Sequence, residues 1–227
     1  MHHRDMDLSG SKSESGGDVH GDGVRLDLYW IPLGAGDRAG QGVVRFFGRL
    51  FEAVSAAMDR RRRCGLFHAA LVATTSDGET VSIEMAPIPD ANGRVERGVV
   101  AEGAVGSKWL GRLRIFRYEI RRWKGGVIPD LGFAVASPIR IASDPTVVDR
   151  VLDLLPQVPT PVWGRDELAT SEMWNSNSVV SWTLTQSGLD EVAGEPPLDG
   201  RAPGWAAGIE VARRQRLRDA PRPEILS

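Results

Sequence analysis

The chain of 227 residues has one cysteine, Cys64, and four histidines. A lone thiol forms no internal disulfide, and a zinc site built on cysteine lacks a second such ligand. His2, His3 and His20 fall in a Gly-, Ser- and Asp-rich opening stretch, which leaves His68 as the one imidazole in sequence that reads as folded. A multi-histidine metal centre is therefore not expected, and nothing calls for a cofactor. A charge excess is missing too. Lys and Arg number 28 against 30 Asp and Glu, a formal net charge of −2, so no global attraction to nucleic acid arises and no nucleic-acid partner is expected. No apolar run approaches the roughly 20 residues of a membrane-spanning helix. The opening Met1-His2-His3-Arg4-Asp5 lacks the apolar segment of a signal peptide. These readings lead to the expectation of a cytoplasmic protein with no membrane span.

What is present suits a folded domain: 41% hydrophobic and 26% charged residues, in a chain long enough for one sizeable core. Residues 1–23 read as a disordered leader, 24–212 as the domain, and 213–227 as a flexible tail. Val24, Leu26, Leu28 and Trp30 alternate with polar or amphipathic neighbours, a half-buried strand. The glycines of 34–40 match neither a dinucleotide fingerprint nor a P-loop, and read as a connection. Val43, Phe47, Leu50, Val54 and Met58 then stripe a helix over 41–63. Its last turn carries Arg60 to Arg63, a solvated end where cations suit the helix dipole.

Leu66-Phe67-His68-Ala69-Ala70-Leu71-Val72-Ala73 is a short buried strand, and Thr80-Val81-Ser82-Ile83-Glu84-Met85 is another. Asp77-Gly78 between them signals a hairpin. A β-rich stretch covers 113–120. Ser143-Asp144-Pro145 caps a helix bearing Val147, Val148, Val151, Leu152 and Leu155, stopped by Pro156. Residues 157–164 form a Pro-rich connection, and 195–208 an ordered loop. The segment from Asn175 to Gly188 is ambiguous: Val180, Trp182 and Leu184 alternate as in a strand, yet Asn/Ser and Gly bracket it as a helix. Helices and strands in separate runs give an α+β fold.

Asn175-Ser176-Asn177-Ser178 followed by Val-Val-Ser-Trp and closed by Gly188-Leu189 resembles the nucleophile helix of circularly permuted papain-like proteins. That group is similar to the NlpC/P60 hydrolases and includes the lecithin:retinol acyltransferase-like enzymes. His68 in Phe67-His68-Ala69-Ala70-Leu71-Val72 resembles the histidine strand that precedes that helix in the group, and Val81-Ser82-Ile83-Glu84 resembles the strand that follows the histidine strand. The likeness covers scattered pieces of 66–189. It implies a papain-like domain of helices packed on an antiparallel sheet. Serine stands at Ser176 where the group has its nucleophilic cysteine. Three further stretches, around 117–123, 163–167 and 201–205, resemble a bacterial family to which no activity attaches.

The chemistry implied is a hydrolase or acyltransferase acting on an amide or ester of an unknown small molecule, peptide or lipid. A helix N-terminus favours developing negative charge. A hydroxyl, unlike a thiol, still needs a base to remove its proton during attack. Ser176 would attack, His68 would serve as base and then acid, and Glu84 or Asp166 would orient the imidazole. Asn175 and Asn177 would offer donors to an oxyanion, and Trp174 would face the substrate. The plain alternatives are a helix cap for Ser176 and a core histidine for His68.

Glu84 depends on the hairpin register. A two-residue Asp77-Gly78 turn points it away from His68, whereas a three-residue turn at Thr75-Ser76-Asp77 pairs the two directly. Cys64 stands about 13 Å from His68 along an extended strand and reads as inert. Two other classes remain open. One is an inactive papain-like binding module that keeps the groove. The other is an anion-binding surface at 108–124, where seven cations face one carboxylate, Glu119.

Overall fold

The computed structural model describes residues 23–33, 65–88, 97–113, 116–128, 130–197 and 200–220. The expected leader, the glycine loop 34–40, the helix over 41–63 with its arginines, and Cys64 lie outside these residues. Six strands form one antiparallel sheet: β1 Arg25–Pro32, β2 Phe67–Thr74, β3 Thr80–Pro87, β4 Val99–Ala104, β5 Arg117–Lys124 and β6 Val135–Ala142, in the spatial order β4-β5-β3-β2-β1-β6. Among the described residues the α-helices are α1 Pro145–Leu154, α2 Ser176–Gln186, the single turn α3 Asp190–Ala193, and α4 Trp205–Asp219. The fold is α+β. Helix α4 runs to Asp219, so the expected tail from 213 begins as helix.

Alternation places Leu26, Leu28 and Trp30 of β1 with Phe67, Ala69 and Leu71 of β2 and Val81, Ile83 and Met85 of β3 on one sheet face. Helices α1 and α2 pack there, contributing Val148, Val151, Leu152, Val179, Val180 and Leu184 to the same core. Asp144 caps α1 by accepting the Val147 N–H, and Pro145 occupies the first turn, where no hydrogen bond is lost. The opposite face carries a smaller cluster of Ile31, Ala70 and Ile128.

The β2–β3 hairpin has a register of its own. Leu71 pairs with Ile83, Val72 with Ser82 and Thr74 with Thr80. Thr75 and Glu79 close the turn through Thr75 N–H and Glu79 O at 2.9 Å, with Gly78 at φ +80 supplying the left-handed turn. Neither register considered from sequence occurs. The observed one puts Glu84 on the same face as His68, because partners share a face and side chains alternate.

From Glu84 onward β3 pairs only with β5. The start of β2, Phe67 to Ala70, thus has a backbone edge that its neighbouring strand has left. His68, Ser176 and Asn177 gather at that gap.

Candidate functional site

Helix α2 resolves the ambiguous segment: it is a helix, buried on every side from Ser176 to Thr185. Asn175 is its N-cap. The Asn175 side-chain oxygen accepts the N–H groups of Asn177 (2.9 Å) and Ser178 (3.3 Å), while Ser178 Oγ accepts the Asn175 N–H at 3.1 Å. This reciprocal capping box satisfies donors that the helix itself leaves unpaired. Ser176 is therefore the first helical residue and not the cap. Its own N–H has no acceptor among the described residues.

The Ser176 hydroxyl points to β2. Its Oγ lies 2.8 Å from His68 Nδ1, joining residues 108 apart in the chain. Ser176 is 9% exposed and His68 half-buried, so the pair sits at the rim of the core and not sealed within it.

Asn177 explains why α2 docks where it does. Its Oδ1 accepts the Ala69 N–H at 2.7 Å, and its Nδ2 donates to Phe67 O at 3.0 Å. The side-chain amide thus stands in for a strand along the edge that β3 has left, with one residue on each side of His68 bonded to it. The segment 201–204 clasps the same place. Arg201 O accepts the Phe67 N–H at 2.8 Å, Pro203 O accepts from both Asn175 Nδ2 (2.7 Å) and Asn177 Nδ2 (3.0 Å), and Gly204 O accepts the Ser178 hydroxyl at 2.8 Å. One strap thereby ties the serine helix to the histidine strand.

Gly204, at φ +85, leaves room for no side chain, because a Cβ there would lie 2.5 Å from Asn175 Oδ1. Gly208 likewise lets α4 lie directly on α2, since a Cβ would collide with Ser181 Oγ and Ser178 O.

Burial pushes the His68 imidazole down to about 4, opposed in part by the negative charge of Asp130. The ring is consequently neutral at physiological pH. Asp130 precedes the short 3-10 turn Leu131–Phe133, which packs over β1. Sequence reasoning did not single it out. One carboxylate in a Gly- and Pro-rich connection carries no local signal, and only the folded path of the connection between β5 and β6 brings it toward His68.

The remaining sequence candidates are engaged elsewhere. Glu84 Oε1 accepts from Arg121 Nη1 at 3.0 Å, within a buried chain in which Arg121 Nε and the Arg97 fork both bind Glu119. Burial raises the Glu84 carboxyl above its usual range against the pull of Arg121. In Glu119 burial acts upward, but the hydrogen bonds from Arg97 and Arg121 prevail and hold it low. This ion chain occupies Glu84 and gives it no bond to His68.

Asp166 is an exposed loop residue whose carboxylate accepts the N–H groups of Thr170 (2.7 Å) and Ser171 (2.8 Å), bonds that hold its carboxyl below the ordinary value. The side chains of Asn175 and Asn177 are committed to the cap, the strand edge and Pro203. Both Nδ2 groups donate to Pro203 O, and that of Asn177 also to Phe67 O. Trp174 lies in the core, with its main chain held by Gly164 and Arg165.

No protein-family model, curated protein or solved structure matches the chain. Among the described residues no group of three or more His, Cys, Asp or Glu could hold a metal ion, and no helix is long and apolar enough to cross a membrane.

Proposed function

We propose that the chain is a hydrolase or acyltransferase of the permuted papain-like kind, with Ser176 as nucleophile in the position that the group it resembles gives to cysteine. The observation that carries this reading is the 2.8 Å contact between Ser176 Oγ and His68 Nδ1 at a helix N-terminus. With the imidazole neutral and its proton on Nε2, Nδ1 accepts from the hydroxyl, which is the arrangement a general base requires. Attack of Oγ on an ester or amide carbonyl passes the serine proton to Nδ1. The tetrahedral oxyanion then finds the unpaired Ser176 N–H and the positive end of the α2 dipole. Collapse expels the alcohol or amine, which takes the proton from Nδ1, and water or a second nucleophile releases the acyl group by the reverse route. The negative charge of Asp130 favours the imidazolium that forms during attack.

An imidazole held near 4 is a weak base, so a serine relying on it suits activated esters better than unactivated amides. That depressed basicity also favours a second reading, a papain-like binding module that retains the groove without turnover. A fluorophosphonate probe separates the two. The first reading expects a covalent adduct on Ser176, lost in Ser176→Ala and in His68→Ala. A folded protein that stays unlabelled would sink the enzyme and leave the binding module.

A further inference from the structure

Beyond the end of β4, the loop 107–113 carries Trp109 at 69% exposure and Leu113 at 55%. Single exposed apolar side chains are ordinary, but tryptophan is on average a well-buried residue. The loop is not slack. Gly106 N–H donates to Trp163 O at 3.1 Å and Gly111 N–H to Ser107 O at 3.1 Å, so the indole is presented outward by a fixed backbone.

Beside it lies an open depression of about 270 Å³, lined by Lys108, Arg112 and Arg117 together with Gly103 and Thr160. Arg117 is paired with Glu102 at 2.7 Å, and Lys108 reaches Glu167 at 3.4 Å while staying 80% exposed. Arg112 has no carboxylate partner among the described residues. Exposed pairs such as Lys108–Glu167 are weak and exchange readily for another anion.

We propose that this loop and its cationic depression dock the protein on the surface of an anionic lipid bilayer. The indole and Leu113 enter the headgroup–acyl boundary, where tryptophan is favoured, while Lys108 and Arg112 meet lipid phosphates. The side-chain pattern favours lipid over single-stranded nucleic acid. Nucleic-acid tracks use successive aromatic faces, whereas Leu113 has none and instead adds an apolar side chain beside the indole. The net charge of −2 gives the whole molecule no such attraction, so the loop also sets the orientation.

Co-sedimentation of the full chain with phosphatidylglycerol-containing vesicles, against pure phosphatidylcholine vesicles, tests this. Binding is expected only with the anionic lipid and falls as salt is added. Arg112→Ala lowers the partition about fivefold, and Trp109→Ser lowers it about tenfold or more. Both residues are exposed, so the melting temperature stays unchanged. Lipids brominated in the acyl chain quench a component of emission that is absent in Trp109→Phe. Equal binding to neutral vesicles, no loss in Trp109→Ser, or a preference for a single-stranded oligonucleotide or inorganic phosphate over the vesicles would overturn the proposal.

Discussion

Replacing His68 by glutamine probes the site without knowledge of a substrate. In the folded chain burial holds the imidazole down to about 4, from an ordinary value of 6.5. Between those values the unfolded chain binds a proton that the folded chain does not, so stability rises with pH across this window. The contribution is fully present above about 6.5 and is lost as pH falls toward about 4. The difference of about two to three pK units corresponds to roughly 3 kcal/mol. Urea denaturation of the wild type and of His68→Gln, repeated across that range, isolates the effect. The buried carboxylates titrate in both proteins and cancel in the difference, while the introduced amide keeps a polar group opposite the Ser176 hydroxyl. The wild type is expected to lose about 2–3 kcal/mol more than the variant on acidification. Parallel stability curves, or an imidazole resonance of His68 titrating between about 6 and 7, would refute the account of a neutral, desolvated base.

Two substitutions test how the site is assembled. Asn177→Ala removes the partner of the Ala69 N–H and of the Phe67 carbonyl, while the Pro203 carbonyl keeps its bond from Asn175. At about 1–2 kcal/mol for each of these two groups left unsatisfied, the loss is about 2–4 kcal/mol in chemical denaturation, and a cost below about 1 kcal/mol would mean that the amide does not bridge helix and strand. Gly208→Ala places a methyl against the Ser178 carbonyl and Ser181 hydroxyl. It should cost about 1–3 kcal/mol and slow fluorophosphonate labelling by displacing the start of α2, whereas unchanged stability would show that α4 yields without strain.

Much of the frame was legible. The alternation of Leu26, Leu28 and Trp30 marks β1 because one face of the pattern is consistently apolar. The Asp144 cap and Pro145 mark α1 because both act within one turn of backbone. The Asp-Gly turn announces the β2–β3 hairpin, and His68 is the lone imidazole among the described residues.

Helix α2 is bracketed by its Asn/Ser start and Gly188 but shows no helical stripe. Its faces meet the sheet on one side and α4 on another, so Ser178, Ser181 and Thr183 are buried along with Val179 and Val180, and their hydroxyls bind carbonyls of the helix itself and of the start of α4. A helix buried all round shows no 3.6-residue stripe. Strand β6 escapes notice for the opposite reason. It is a half-exposed edge strand that contains Pro138, tolerated there because an edge has backbone groups with no ladder partner.

Composition, capping and period are properties of neighbours along the chain, and the sequence by itself determined them: an α+β domain, the hairpin, the helix after Pro145 and a short roster of reactive side chains. Which of those side chains share a proton is a property of neighbours in space. The hairpin register, the departure of β3 from the start of β2, the Asn177 amide filling that edge and the 201–204 strap together place Ser176 against His68. The same packing draws Glu84 to Arg121 and leaves Asp130 to act on the imidazole. Each of these rests on contacts between distant segments whose partners are chosen by burial and by the need to satisfy every backbone donor and acceptor, and no local pattern encodes that choice.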